Sequence, residues 1–296
     1  MAKIKNLTLG VGLALAGAFL THSLYAGTDS KAVVETPKAS VLTGDLGVNF
    51  VSEYISRGAP QEIKGVIAQP YADLYFSLYE GQGFVNKVSL NLGIWGSFQD
   101  ARTLAVNKQG SGASFYEFDY TPGVAVTFAK NYTLTTSYFE FDSPNNGFKP
   151  SRNLNFSLAY NDTDLLGAFA LHPHVTYMRE LAGKAVNGYS TVQGNYYEVG
   201  VLPALPAYGP VTISFPINAG FGSGQFYVEN KSFGYFSGGV NASVAIGCIP
   251  AKYGTWAFNA GATYYRLANQ TAWVYDIATP IDKDRVVYQA GIGATF

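Results

Sequence analysis

The chain has 296 residues, with 19 basic and 20 acidic side chains and one cysteine. That balance excludes the basic excess of a nucleic-acid-binding surface, and Cys248 alone forms no intramolecular disulfide to hold an exported fold together. Aromatic residues reach 15% while charged residues fall to 13%, about half the usual quarter, yet nothing beyond residue 26 resembles an apolar helical span.

Lys3 and Lys5 precede an apolar run from Leu7 to Leu20, which ends in a short polar stretch before Ala26. A basic start, an apolar centre and a small residue at the end predict a cleaved secretory signal peptide over residues 1–26, with Leu24 an imperfect minus-three residue. The run falls short of the roughly 20 residues that a membrane anchor needs, and no cysteine follows it to carry a lipid. Without Lys3 and Lys5, 17 basic side chains face 20 acids, a net charge of −3. Residues 27–41, with Thr28, Asp29, Ser30, Lys31, Glu35, Pro37 and Lys38, are predicted to be a flexible periplasmic arm.

From residue 42 onward, apolar and polar residues alternate with period two, broken by Gly, Pro, Asn and Asp clusters. Weaker segments around 45–56 and 66–78 come first. Val88, Leu90, Leu92 and Ile94 then alternate with Ser89, Asn91 and Gly93. Tyr116, Phe118, Tyr120, Val124, Val126 and Phe128 take the apolar parity of the next segment. Segments follow at 132–141, 154–160, 168–178, 196–202, 211–217, 240–246 and 256–264. The last runs from Val286 to Phe296, with Tyr288, Ala290, Ile292 and Ala294 in alternation. These predict an all-β fold, a transmembrane up-and-down antiparallel β-barrel of about twelve strands, ten to fourteen, over residues 42–296.

Connection lengths support that reading. The turns near 130, 162–166, 204–209 and 247–252 are short, whereas 98–114, 142–152, 179–195, 222–232 and 266–285 are mostly longer. Such asymmetry puts both termini in the periplasm of a barrel in the cell outer membrane. The first connection, around Gly58 to Gln61, reads as short and breaks the pattern. A terminal strand ending in Phe296 is the kind that the barrel-assembly machinery recognises. The rival fold is a periplasmic sandwich, whose strands also alternate. Aromatic residues near strand ends and small neutral residues on the polar parity fit lipid contact with aromatic girdles better.

Ser52 to Gly58 reads SEYISRG, and Gly93 to Asp100 reads GIWGSFQD after a strand through Tyr71 and Tyr75. This order resembles a family of proteobacterial exported proteins labelled Gcw, with its S-x-Y-x-x-R-G and later G-x-W-x-S segments, most clearly over residues 45–160. The resemblance implies an outer-membrane barrel and brings no activity, substrate or catalytic residue.

With apolar residues facing lipid, the opposite parity lines the lumen. It includes Glu53, Arg57, Asp73, Lys87, Glu117, Asp119 and Glu198, five acids against two bases. A watery lumen of that composition would favour cations, with Arg57 part of the constriction. The same charges could instead pair across the barrel and plug it. About twelve strands give a backbone diameter of roughly 24 Å, and Gly93, Gly123, Gly200, Gly220, Gly261, Gly291 and Gly293 would leave some of it open. Tyr71, Tyr75, Trp95, Tyr196 and Tyr265 also point inward, either to stack against solute rings or to fill space. His172 and His174 share a face of a predicted strand but lack the third ligand of a metal site. No G-x-S-x-G elbow accompanies them. The expectation is a narrow passive pore for small polar or cationic solutes, with no enzyme activity, cofactor, metal or nucleic-acid partner. A non-channel barrel whose outer loops bind a partner is the alternative, and an outer-membrane hydrolase a more distant one.

Overall fold

The computed structural model describes residues 41–101, 103, 114–187, 190–268 and 281–296. The expected signal peptide and nearly all of the arm lie outside the described residues. The strands are β1 (Leu42–Val51), β2 (Tyr54–Ser56), β3 (Ala59–Glu62), β4 (Ile67–Glu80), β5 (Val85–Gln99), β6 (Phe115–Phe128), β7 (Tyr132–Asp142) and β8 (Ser151–Tyr160). They continue with β9 (His174–Ala182), β10 (Asn195–Val201), β11 (Val211–Ser214), β12 (Ile217–Ser223), β13 (Phe233–Ala245), β14 (Thr255–Leu267) and β15 (Asp284–Thr295).

All but β2 and β3 form one antiparallel sheet that closes on itself, because β15 pairs with β1 at Val48↔Ile292 and β13 pairs with β14. Closure satisfies every strand edge, the condition for spanning lipid with β-structure. β11 and β12 keep one register against β13, Ser214↔Asn241 and Ile217↔Gly238. They are a single barrel strand interrupted at Phe215–Pro216, since proline brings no donor to the ladder. The barrel therefore has twelve strands.

The outward parity is apolar through the middle of the wall: Leu46, Leu92, Ile94, Val124, Leu134, Val175, Val199, Val240, Phe258 and Ile292 are all exposed. Aromatic rings collect at both ends of this band. At the end with the short turns, Phe84, Phe128, Tyr132 and Tyr160 stack in a row, with centroids 5.6, 5.7 and 4.7 Å apart. At the opposite, loop end, Phe98 stacks on Phe115 at 4.4 Å, and Phe156, Tyr177 and Tyr197 form a second row. Outward ion pairs, Arg152 with Glu140 and Arg266 with Asp284, occur beside this loop-end girdle. An apolar band between two aromatic girdles is the surface a bilayer requires.

Three expectations are corrected. The segment expected as a strand over 45–56 stops at Val51, and residues 52–66 fold back into the barrel, so the short first connection is an internal hairpin. Tyr116 is buried, not lipid-facing, because the β5–β6 register shifts between Ser97↔Glu117 and Phe98↔Phe115 and turns one residue inward. The strand expected over 168–178 starts only at His174, after two short helical turns, Thr163–Leu166 and Gly167–Phe169.

Candidate functional site

The candidate site is the lumen, and its two halves differ. In the loop-end half, β2 and β3 stand inside the barrel as a hairpin joined by Arg57 and Gly58, whose φ angles are +49° and +79°. Two successive positive φ values suit a two-residue hairpin turn, and the second position demands glycine. A Cβ on Gly58 would lie 2.6 Å from the Tyr235 ring. The Arg–Gly pair of the SEYISRG segment is thus the hairpin tip.

Apolar and aromatic residues surround the hairpin and make a core inside the barrel: Tyr54, Ile55, Ala59, Tyr116, Met178, Val186, Tyr196, Phe226, Tyr227, Tyr235, Tyr265 and Leu267. Polar groups fix its register. Tyr54 donates to Glu117 at 2.8 Å, Tyr116 donates to Gln61 at 2.8 Å, and Tyr227 donates to the Arg57 carbonyl at 3.0 Å. Fully buried Glu62 accepts the backbone N–H groups of Ile63, Lys64 and Thr103 at 2.8, 3.1 and 2.9 Å, tying the hairpin base to the next long connection.

The expected lumen residues have different places. Arg57 lies at the hairpin tip, its guanidinium 4.7 Å from the Phe141 ring centre and 5.9 Å from that of Tyr196. Its charge acts on Glu117 and Asp119 of β6. Asp119 is fully buried, and neither carboxylate oxygen has a hydrogen-bond partner among the described residues. Glu198 is buried beside this group and accepts hydrogen bonds from Tyr196, at 2.6 Å, and from Tyr235. Arg57, Glu117, Asp119 and Glu198 are therefore gathered around the hairpin. Glu53 is not: it forms a two-pronged ion pair with Arg285, at 2.6 and 2.9 Å. Asp73 sits on the wall near Asp45, Tyr71 and Tyr75, where Tyr75 donates to Asp45 at 3.0 Å. Lys87 pairs with Glu80 at 3.6 Å, away from the constriction.

Ser, Thr and Asn line the turn-end half of the lumen, including Ser89, Asn155, Ser157, Asn218, Asn241 and Ser243, all buried. The wall glycines leave less free space than expected. Neighbouring side chains lie over them: Asp73 over Gly93, Ser137 over Gly123, Asn218 and His174 over Gly200, Tyr235 over Gly220, Asn241 over Gly261, Asn49 over Gly291 and Tyr71 over Gly293. Each glycine lets its neighbour lie along the wall and keeps that side chain out of the axis.

His172 and His174 do not share a face. His172 sits in the turn with φ +47° and its Nδ1 3.6 Å from Asp162, whereas the His174 Nε2 faces Glu198 at 3.8 Å across the inner wall. Among the described residues, no three His, Cys, Asp or Glu side chains converge as metal ligands. Cys248 is exposed in the turn between β13 and β14.

An outer membrane channel from Pseudomonas putida F1 superposes over 91% of this chain and 100% of its own, at 8% identity and a TM-score of 0.52. The fold is that of an outer-membrane barrel. The NanC porin matches 85% of the chain and 98% of its own length, at 10% identity and a TM-score of 0.45. The outer membrane phospholipase A from Escherichia coli matches 85% and 92%, at 13% identity and a TM-score of 0.41. No family model matches the chain, and no curated protein matches it in sequence. At such identities the likeness is one of fold, and residue roles rest on the lumen described above.

Hairpin residues Tyr54, Gln61 and Glu62 and their partners Tyr116, Tyr227 and Tyr235 escaped the sequence reading. Strand parity says which face a residue takes, not whether a connection enters the lumen. The Arg–Gly pair was the available signal, since glycine after a polar residue between two short β-prone runs is hairpin chemistry.

Proposed function

We propose that this barrel is an outer-membrane channel for small solutes, constricted by its own first connection, residues 52–66. The observation that carries the reading is the combination of a polar inner wall with a single hairpin across it. The turn-end half offers neutral hydrogen-bonding groups, while the loop-end half narrows to Arg57 opposite Glu117 and Asp119. With acids outnumbering the arginine at the constriction, the local field favours cations. Export by the signal peptide over residues 1–26, insertion through the assembly machinery by the strand ending at Phe296, and kinship with the Gcw-labelled proteins belong to the same proposal.

The test is planar-bilayer conductance of the purified barrel beside a variant in which residues 53–64 are replaced by a short Gly-Ser turn. The expected result is a several-fold larger unitary conductance in the variant, with cation preference reduced by Glu117→Gln and Asp119→Asn in the intact protein. Equal conductance in both proteins overturns the constriction. Silence in both overturns the channel and favours a barrel sealed by its internal core, whose loops meet a partner outside.

A further inference from the structure

We infer that the outward face of β8, β9 and β10 binds a phosphorylated, multiply acylated glycolipid of the outer leaflet, the lipid A part of lipopolysaccharide. A phosphate of that lipid rests on Arg152 and Arg179, and one acyl chain lies in the groove below them. The inference needs an outer-membrane barrel with its loops outward and does not depend on conductance. Arg152 of β8 and Arg179 of β9 both take the outward parity of their strands. Arg179 lies directly opposite Leu154, two residues along from Arg152, so the arginines are diagonal neighbours on adjacent strands. Side chains of that length meet across such a diagonal.

Arg152 is held at one edge and open at the other. Its Nε donates to Glu140 at 3.2 Å, and the same carboxylate accepts from Tyr120 at 2.5 Å and from Tyr138 at 2.8 Å. Glu140 is more than nine-tenths buried, whereas the Arg152 side chain is 55% exposed. The terminal nitrogens of Arg152 donate no hydrogen bond among the described residues. Arg179 is steadied in a similar way, its Nη1 donating to the Gln193 carbonyl at 3.1 Å and to Asn195 Oδ1 at 3.2 Å. A wall that met only acyl chains would be destabilised by such charges. A planar fork with parallel N–H groups to spare is what grips a phosphate.

Below the arginines the wall is apolar and concave. A groove of about 320 Å3 crosses the outward face of β8 to β10, lined by Phe156, Tyr177 and Tyr197 and then by Leu158, Val175 and Val199. The register sets that order, with Leu154 opposite Arg179, Phe156 opposite Tyr177 and Leu158 opposite Val175, each pair one level deeper in the band. β10 repeats it, with Tyr197 opposite Tyr177 and Val199 opposite Val175. Val175 and Val199 are both exposed, so the groove opens toward lipid. Charged, aromatic and aliphatic levels thus succeed one another from the loop end to mid-wall, as a phosphate-bearing head and its acyl chains do. Inorganic phosphate would leave the groove unused, and an uncharged lipid would leave the arginines unmatched. Asp142, the next outward acid of β7, lies beyond Glu140 toward the loops and two strands from Arg179, away from the groove.

The test is native mass spectrometry of the detergent-purified barrel titrated with diphosphoryl lipid A and, separately, with dioleoylphosphatidylglycerol. One lipid A adduct per barrel is expected, roughly ten-fold or more tighter than that of the phospholipid. Arg179→Gln, and Glu140→Gln combined with Arg152→Gln, should each weaken the lipid A adduct several-fold. Val175→Trp fills the groove, leaves both arginines in place and should weaken it as well. Arg266→Gln removes a similarly exposed outward arginine elsewhere on the wall and should leave the adduct unchanged. A heat-shift gel confirms that each variant is a folded barrel; should one arginine variant fail to fold, Val175→Trp and the other decide. An absent adduct, one indifferent to these substitutions, or an equal loss with Arg266→Gln overturns the inference and leaves the arginines as interfacial charges. Equal affinity for the phospholipid overturns the choice of lipid A.

Discussion

The two halves of the lumen are lined by the same parity of the same strands, yet they are filled in different ways. The loop-end half is filled by chain: the hairpin brings Tyr54, Ile55 and Ala59 against Tyr116, Phe226 and Tyr227, with Tyr54, Tyr116 and Tyr227 donating across the contact, although the Asp119 carboxylate finds no hydrogen-bond partner among the described residues. The turn-end half is lined by short neutral side chains of the wall itself, among them Ser157, Asn218, Asn241 and Ser243. An inner wall is therefore not polar by rule. Where a segment of the chain returns to cover it, it becomes a core; where none returns, short polar side chains cover it from the wall itself.

Substitutions can break this contrast. The largest effect is expected at the hairpin tip. Gly58→Ala puts a Cβ on a residue with φ +79° and drives it to 2.6 Å from Tyr235. Strain and overpacking together should cost about 2–4 kcal/mol. The readouts are a lower heat-shift midpoint and a rise in conductance as the hairpin leaves the lumen. Tyr54→Phe removes the donor to the buried Glu117 carboxylate while keeping the ring packed on Trp95. A loss of about 1–3 kcal/mol is expected, and hairpin-dependent current fluctuations should increase. Unchanged currents would show that apolar packing alone seats the hairpin.

At the turn end, Asp162 closes the β8–β9 connection by accepting the N–H groups of Leu171 and His172 at 3.0 and 2.9 Å. Asp162→Ala orphans both donors and should cost about 1–3 kcal/mol in chemical unfolding. Burial pushes the Asp162 carboxyl up, but these backbone donors outweigh it and hold it below its ordinary 3.8. Its contribution is thus full above that value and lost as pH falls through the lower folded one. Burial also holds the His172 imidazole below its ordinary 6.5, against the pull of Asp162. The folded turn prefers neutral His172, so stability declines as pH falls from about 6.5 toward the folded value. His172→Asn, suited to the positive φ, should remove the upper pH window and keep the lower one.

The smallest effect sharpens the contrast most. Ser243→Ala deletes a buried hydroxyl that has no hydrogen-bond partner among the described residues, so stability in chemical unfolding should stay within about 0.5 kcal/mol or rise. A large loss of stability would mean that the hydroxyl is bonded within the wall and that the two halves are satisfied alike.

The sequence by itself determined the barrel. A side-chain period of two forces alternate residues to opposite faces, so Leu92 and Ile94 against Asn91 and Gly93 already divided lipid side from lumen side. The inward placement of Glu117, Asp119 and Glu198 followed from the same period, whereas Arg57 is carried inward by the hairpin turn and not by strand parity. Only the tertiary structure decided what that lumen holds. Whether residues 52–66 arch outward or fold inward depends on contacts with Tyr116, Tyr227 and Tyr235, far away along the chain. The turning of Tyr116 depends on a register shift between two strands, and Glu53 is drawn from the constriction by Arg285 at the other end of the sequence. Periodicity is a local property of each strand; the filling of the lumen is set by which distant side chains meet there.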